Sequence, residues 1–115
     1  RVAAHRARRP STWTTVETQD LPGALAQPGP VLVDSLTAWV AAAHQFAVDT
    51  DALCAALAAH DGDVVVVSDE VGLGVHPSTE AGRLFRDALG LVNQAVAAVA
   101  DDVLLVVAGR ALPLS

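Results

Sequence analysis

One segment of this sequence combines a histidine with several arginines, a pairing suited to phosphate chemistry. His5 lies in the run RVAAHRARR, which contains four arginines and no acidic residue. A neutral imidazole can attack a phosphorus atom and hold it as a phosphoramidate, while neighbouring guanidinium groups offset the charge that develops. The simpler interpretation, which the spacing alone favours, is an exposed histidine on a basic helix. The sequence leaves both roles of His5 open.

Carboxylates follow two apolar runs that resemble buried strands. Asp34 closes VLVD, and Glu70 follows VVVV in a loop that contains Gly72 and Gly74. In parallel sheets ligands bind beyond the carboxyl ends of the strands, and a carboxylate there can hold Mg²⁺ or accept hydrogen bonds from a ligand. The alternative for Asp34 is a helix N-cap, which Ser35 could also provide. The alternative for Glu70 is an ordinary connection with solvated acids.

The long amphipathic stretch near the end of the chain carries a third polar group. Arg83 and Arg86 could form solvent-facing ion pairs, or they could reach a phosphate or a neighbouring subunit. Asn93 and Gln94 interrupt an otherwise apolar helix. A buried amide pair must be hydrogen-bonded, so we expect these two residues to pin a loop or an interface.

These side chains need a scaffold, and the periodicity predicts an α/β fold with a mostly parallel sheet flanked by helices. The predicted strands are Trp13–Glu17, Val31–Asp34, Val64–Val67, Val103–Val107 and an edge strand at Ala111–Leu114. The predicted helices are Arg1–Arg9, Leu21–Ala26 (a short turn), Leu36–Phe46, Asp51–His60 and a long helix that begins near Ser78, with Ser78 as its N-cap.

Composition limits the class of protein. The 115 residues fit one domain, residues 1–115, and the net charge of −6 argues against general nucleic-acid binding. No apolar run approaches the ~20 residues of a membrane span. The single cysteine, Cys54, cannot form an internal disulfide, which suits a reducing cytoplasm. Because the sequence has no methionine and opens within a predicted helix, we expect the domain to be incomplete at its N-terminus.

Three segments together resemble one protein family. They are RVAAHRARRPSTWTTVE, VLVDSLTAW and SDEVGLGVHPSTEAGRLFRDALGLVNQAVAAVADDVLLVVAGRALPL. They resemble the bifunctional adenosylcobinamide kinase / adenosylcobinamide-phosphate guanylyltransferase family, whose pattern NEVG-x-G-x-x-P…R-x-FRD-x-x-G-x-x-NQ is nearly complete here. Asp69 stands where the family usually has asparagine, and Ser35 where cysteine is common. The resemblance extends from Arg1 to Leu114.

The resemblance implies a RecA-like P-loop fold and a role in cytoplasmic cobalamin biosynthesis. Members phosphorylate adenosylcobinamide with a nucleoside triphosphate, then transfer GMP from GTP to that phosphate through a histidine. It therefore implies GTP, ATP and Mg²⁺ as cofactors, with adenosylcobinamide and its phosphate as substrates. Members form homotrimers, which would give Arg83, Arg86 and the Asn93–Gln94 pair an interface role. By motif match the guanylylated residue is His5, and the nucleotide contacts are Arg6, Ala7, Arg8, Arg9, Glu17 and Asp34, with Asp34 also a possible Mg²⁺ ligand.

The family begins with a strand and a G-G-x-x-S-G-K-S type P-loop, a motif that this sequence does not contain. That loop supplies the backbone amides, lysine and hydroxyl that cradle phosphates and Mg²⁺. We therefore expect the full-length parent to be the active enzyme and the chain as it stands not to turn over nucleotide. The alternative is a non-catalytic oligomerising, corrinoid-binding or phosphate-binding module. An unrelated phosphotransfer domain that uses His5 would not explain the FRD…NQ pattern.

Overall fold

Within residues 12–114 the fold consists of short strands and four helices in the order α-β-α-α-β-α-β-β. A computed structural model describes residues 12–114. The helices are α1 (Leu21–Ala24), α2 (Leu36–Ala42), α3 (Thr50–Ala59) and α4 (Glu80–Val99), with a 3₁₀ turn at His44–Phe46. The strands are β1 (Val31–Asp34), β2 (Val64–Val67), β3 (Val103–Val107) and β4 (Arg110–Leu114). The three central predicted strands therefore have the predicted bounds, whereas the predicted helix Arg1–Arg9 lies outside the described residues.

The strand predicted at Trp13–Glu17 is wrong, because these residues have no regular secondary structure. Their β-branched and aromatic side chains favour an extended chain, but a strand also needs a partner strand, which propensity does not supply. The chain is held to α2 at Gln19, just after these residues. The amide of Gln19 donates to the Trp39 carbonyl (2.8 Å), and the Trp39 indole N–H donates to the Gln19 carbonyl (2.9 Å).

Helix α2 ends at Ala42, four residues before the predicted end at Phe46. Ala43 adopts an extended conformation, and Gln45 and Phe46 have positive φ angles of 54° and 58°. Beyond this break the Phe46 ring packs edge-on against Phe85 of α4, with centroids 5.5 Å apart. The polar residues His44 and Gln45 interrupt the apolar run here, but no clear periodicity marks where the helix ends.

The N-cap of α4 is Thr79, not the predicted Ser78. Thr79 has extended backbone angles, and its hydroxyl accepts a hydrogen bond from the Gly82 amide at 3.0 Å. Serine and threonine cap helices about equally well, so two adjacent hydroxyl residues cannot be separated by type. Glu80 lies in the first turn as predicted, where a negative charge complements the helix dipole.

The strands form two separate pairs among the described residues. β1 and β2 are parallel, with Val31 opposite Val64 and Asp34 opposite Val67. β3 does not extend this pair; it forms an antiparallel hairpin with β4, in which Val107 lies opposite Arg110. The prediction of one mostly parallel sheet is therefore only partly right. The two-residue turn brings β4 beside β3 locally, whereas joining β3 to β2 would require contacts across the whole of α4.

The core lies between the parallel pair and the helices. Nine hydrophobic residues of the described region are buried: Leu25, Val33, Leu36, Trp39, Val40, Leu53, Leu89, Val92 and Val96. Val31, Val64 and Val66 pack against them, whereas Leu32 and Val65 on the opposite face of the pair are exposed. Helices therefore cover one face of the pair in the described region, not both as predicted. No helix within residues 12–114 is long and apolar enough to cross a membrane.

Candidate functional site

The predicted site lies at the carboxyl ends of β1 and β2. Asp34 and Val67 are opposite each other in the parallel pair, so the Asp34 carboxylate and the loop Ser68–Glu70 lie at the same edge. Ser35, not Asp34, caps α2, because its hydroxyl accepts from the Ala38 amide at 3.2 Å. The capping alternative for Asp34 is therefore wrong, and its exposed side chain lies where parallel sheets bind ligands.

A network of four polar side chains fixes the loop after β2. The Thr37 hydroxyl donates to Asp69 Oδ2 (2.7 Å) and accepts from the Asp69 amide (3.1 Å). The Ser68 hydroxyl donates to Asn93 Oδ1 (2.5 Å), and Asn93 Nδ2 donates to the Asp69 carbonyl (3.0 Å). The network joins α2, this loop and α4. It confirms that Asn93 pins a loop, although Asn93 is only half-buried and Gln94 is exposed.

The three accessory residues all contact the segment between β2 and α4. Glu70 Oε1 accepts from the Gly72 amide at 2.6 Å. Arg83 Nη1 donates to the Pro77 carbonyl at 3.3 Å. Arg86 Nη1 lies 2.8 Å from His76 Nδ1, which must accept because a guanidinium can only donate.

Arg86 also pairs with Asp87 at 3.0 Å. Exposed ion pairs of this kind typically contribute 0–1 kcal/mol, roughly, so its main effect is to orient the guanidinium.

A groove runs between the loop after β2 and the outer surface of α4. Its volume is about 490 Å³, and it brings Glu70 and Arg86 together. Its other walls come from Val71, Gly72, Asp87, Gly90, Leu91, Asn93 and Gln94. Arg83 is not part of this lining. Two of the three accessory residues, Glu70 and Arg86, therefore line the same groove.

Two other predicted site residues in the described region, Glu17 and Asp34, do not line this groove. His5, Arg6, Ala7, Arg8 and Arg9 lie outside the described residues. Glu17 is exposed in the irregular segment before α1, two residues from the Gln19–Trp39 anchor.

Within residues 12–114 no three side chains of His, Cys, Asp or Glu are grouped as a metal site. Mg²⁺ binding at Asp34 therefore stays a prediction; proteins usually hold this ion with one or two carboxylates together with substrate phosphates and waters.

Sequence reasoning missed one histidine with an unusual environment. His60 follows α3, and its Nδ1 and Nε2 lie 2.8 Å and 2.6 Å from the carbonyl oxygens of Leu25 and Gly29. Carbonyls only accept, so both bonds require the doubly protonated ring. The Leu25 carbonyl, then the Gly29 carbonyl, raise the pKa of His60 above its ordinary value, with a smaller contribution from Asp61. His60 lies before β2, away from the candidate site, and no local sequence signal reveals its partners.

The fold and the site together define a class of protein. A mixed α/β domain that gathers carboxylates and hydroxyls beyond the ends of a parallel pair is typical of proteins that bind nucleotides or phosphorylated ligands. Residues 1–114 match the family described as cobinamide kinase / cobinamide phosphate guanyltransferase. The chain belongs to this family, which confirms the resemblance seen in the sequence.

Three relatives agree with this assignment. The chain is 37% identical over 128 residues to the bifunctional adenosylcobalamin biosynthesis protein CobP of Pseudomonas aeruginosa, covering 99% of the chain and 72% of the relative. It is 33% identical to CobU of Salmonella typhimurium and 34% identical to CobU of Escherichia coli, each over 133 residues. These alignments cover 95% of the chain and 74% of each relative. The mixed α/β structure is compatible with the nucleotide-binding fold of this family.

Proposed function

We propose that the complete enzyme phosphorylates adenosylcobinamide and then transfers GMP from GTP to the resulting phosphate, giving adenosyl-GDP-cobinamide and pyrophosphate. The observation that carries this proposal is the family match across residues 1–114, which includes the His5 segment and both strand-end carboxylates. The names of the relatives, each a bifunctional adenosylcobalamin biosynthesis protein, support it. ATP or GTP serves as the phosphate donor of the first reaction.

In the second reaction His5 carries the guanylyl group. A nitrogen of its neutral ring attacks the α-phosphorus of GTP, and the bond to the β-phosphate oxygen breaks to release pyrophosphate. A phosphate oxygen of adenosylcobinamide phosphate then attacks the same phosphorus. The phosphorus–nitrogen bond breaks, and the imidazole returns to its free form. Splitting the transfer in this way replaces one difficult displacement by two easier ones.

The other predicted residues hold the nucleotide around this histidine. Arg6, Arg8 and Arg9 neutralise phosphate charge, and the Ala7 backbone lies between them in sequence. Glu17 and Asp34 contact the nucleotide as carboxylate acceptors. Mg²⁺, when bound at Asp34, supplies positive charge that offsets the negative charge of the phosphates.

We further propose a RecA-like fold with a P-loop in the complete enzyme, assembly as a homotrimer and location in the cytoplasm. The parallel pair, with Asp34 and the loop Ser68–Glu70 at its carboxyl edge, supports the fold assignment. In a trimer Arg83 and Arg86 would orient the β2–α4 loop towards a neighbouring subunit, because both already contact that loop.

Intact-mass spectrometry tests the covalent step. The complete enzyme is incubated with GTP and Mg²⁺, and we expect a mass increase of one guanylyl group that disappears in His5→Ala. The matched control is His44→Ala, which removes an exposed histidine of the 3₁₀ turn and should leave the adduct intact. An adduct that persists in His5→Ala, or no adduct in the wild type, would contradict the proposal.

A further inference from the structure

The groove beside α4, defined by Glu70, Gly72, Arg86, Gly90, Leu91 and Gln94, has no role in the nucleotide chemistry described above. Its volume of about 490 Å³ lies within the roughly 300–1,000 Å³ of small-molecule sites. One wall is the loop after β2, and the other is the outer face of α4. The groove is therefore large enough for part of a substrate.

Gly90 keeps the helical wall of this groove open. A glycine inside a helix costs roughly 0.5–1 kcal/mol relative to alanine. Gly90 does not have a positive φ angle, and apart from its two chain neighbours and the backbone of its own helix no atom of the described residues lies within 4 Å of the position that its Cβ would occupy. Neither backbone conformation nor packing within the described region therefore requires a glycine here. A larger side chain at position 90 would fill part of the groove.

The opposite wall is held in place before any ligand arrives. Asn93 uses its oxygen for Ser68 and its nitrogen for the Asp69 carbonyl, so its amide is committed to the loop. The side chain of Gln94, the next residue, is exposed and makes no hydrogen bond to another residue in the described part of the chain. The two adjacent amides thus have different roles. Asn93 holds the loop that forms one wall, and Gln94 presents a hydrogen-bond donor and acceptor to the groove.

The charge of the groove argues against a phosphate as its occupant. Arg86 is paired with Asp87, and Glu70 adds a second carboxylate, so two negative charges face one positive charge. A phosphate would be repelled by this surface, whereas neutral N–H donors would be attracted. Leu91 is 66% exposed, and Leu73 and Val75 of the adjoining loop are 82% and 96% exposed. The site therefore offers acceptors, one amide and an apolar border.

We propose that this groove binds the amide-bearing rim of the corrinoid substrate, an inference that rests on the proposed function. Cobinamide is a large, mainly apolar ring whose edge carries neutral primary amides. Those amides donate to Glu70 and Asp87 and pair with Gln94, while the hydrocarbon of the ring covers Leu91. The whole ring exceeds the groove, so only one edge enters it.

Equilibrium dialysis with adenosylcobinamide tests the groove directly, using the complete enzyme without GTP. Gly90→Leu places a side chain in the groove and suits a helix, so we expect the Kd to rise by about tenfold or more. Gln94→Ala should raise it by about threefold to tenfold through loss of a hydrogen bond. Ala98→Leu creates the same leucine side chain at an exposed position of α4 outside the groove, and we expect no change in the Kd. Thermal unfolding verifies that each variant is folded.

The GTP-dependent guanylyl adduct separates this inference from the proposed function. If the wild type forms no adduct, the proposed covalent step is contradicted. If it nevertheless binds the corrinoid tightly and Gly90→Leu weakens that binding, the assignment of the groove as the corrinoid site is supported. An unchanged Kd for adenosylcobinamide in folded Gly90→Leu overturns the proposal that the groove binds the corrinoid. So does a variant whose Kd for GTP rises while that for adenosylcobinamide stays constant, because the groove would then hold the nucleotide.

Discussion

The parallel pair β1–β2 and the antiparallel pair β3–β4 are built from similar valine- and leucine-rich strands, yet their surroundings differ. Val31, Val33, Val64 and Val66 of the parallel pair pack against the helices. In the hairpin every residue of β4 is exposed, and no residue of β3 is fully buried. Apolar composition therefore predicts a strand in both regions, but it does not predict which strand lies in the core.

The difference follows from how each pair is connected. Parallel strands need a long crossover, and in this protein the crossover helices also supply the buried surface. The hairpin closes through Ala108 and Gly109, whose positive φ angles of 51° and 73° suit a tight two-residue turn. The parallel pair thus depends on distant packing, whereas the hairpin depends on local geometry.

The largest expected effect comes from removing core volume beneath the parallel pair. Leu89 is fully buried, so Leu89→Ala should lower the free energy of unfolding by about 2–5 kcal/mol. The matched change in the hairpin, Leu104→Ala, removes the same atoms from a side chain that is 56% exposed. We expect a loss within about 0.5 kcal/mol there. Urea unfolding of both variants measures the difference, and equal losses would show that the hairpin is covered in solution.

A smaller effect, of opposite sign, should follow from improving the hairpin turn. Ala108 adopts a left-handed conformation that costs an ordinary residue roughly 1–2 kcal/mol, whereas asparagine tolerates it. Ala108→Asn should therefore recover about 1 kcal/mol or less of local stability. Slower hydrogen exchange of the hairpin amides, with no change in β1 and β2, would be the expected result. Gly109→Ala is the opposing control and should accelerate the same exchange.

The smallest expected effect is a pH dependence of the Tm that arises from His60, which bonds to backbone near the start of the parallel pair. The two carbonyls raise the pKa of His60, so its contribution is fully present below the unfolded value of about 6.5. That contribution is lost as the pH rises through the higher folded pKa. We expect the Tm of the wild type to decline across this range more than that of His60→Gln. Parallel Tm curves for the two proteins would contradict this role.

The sequence predicted those features that depend on neighbours along the chain. The bounds of β1, β2 and β3 followed from short β-branched runs between turn residues, and α4 followed from its periodicity. The same reasoning failed for residues 13–17, where a partner strand was needed, and for Phe46, whose partner Phe85 is distant in sequence. Ser78 and Thr79 differ in backbone geometry rather than in residue type, so the cap was misplaced by one position.

In the candidate site too, features set by neighbours along the chain could be predicted, and features set by distant partners could not. Asp34 and Glu70 could be found because each follows an apolar run, and topology alone then places them at one edge. Thr37 could not be found, since its pairing with Asp69 depends on how α2 packs. The sequence predicts Asn93 and Gln94 as a buried pair, but adjacent helical residues face different directions, and only Asn93 bonds to the loop.

The polar network at the strand ends also has a consequence for how the chain folds during its synthesis on the ribosome. Its hydrogen bonds join residues 24 to 32 positions apart, and Asn93 contributes from well within α4. A nascent chain emerging from the ribosome therefore exposes the β2 loop before the residue that secures it has been synthesised. The candidate site at the strand ends is therefore completed late, and truncation before position 93 would leave the strands and early helices without the residue that secures this loop.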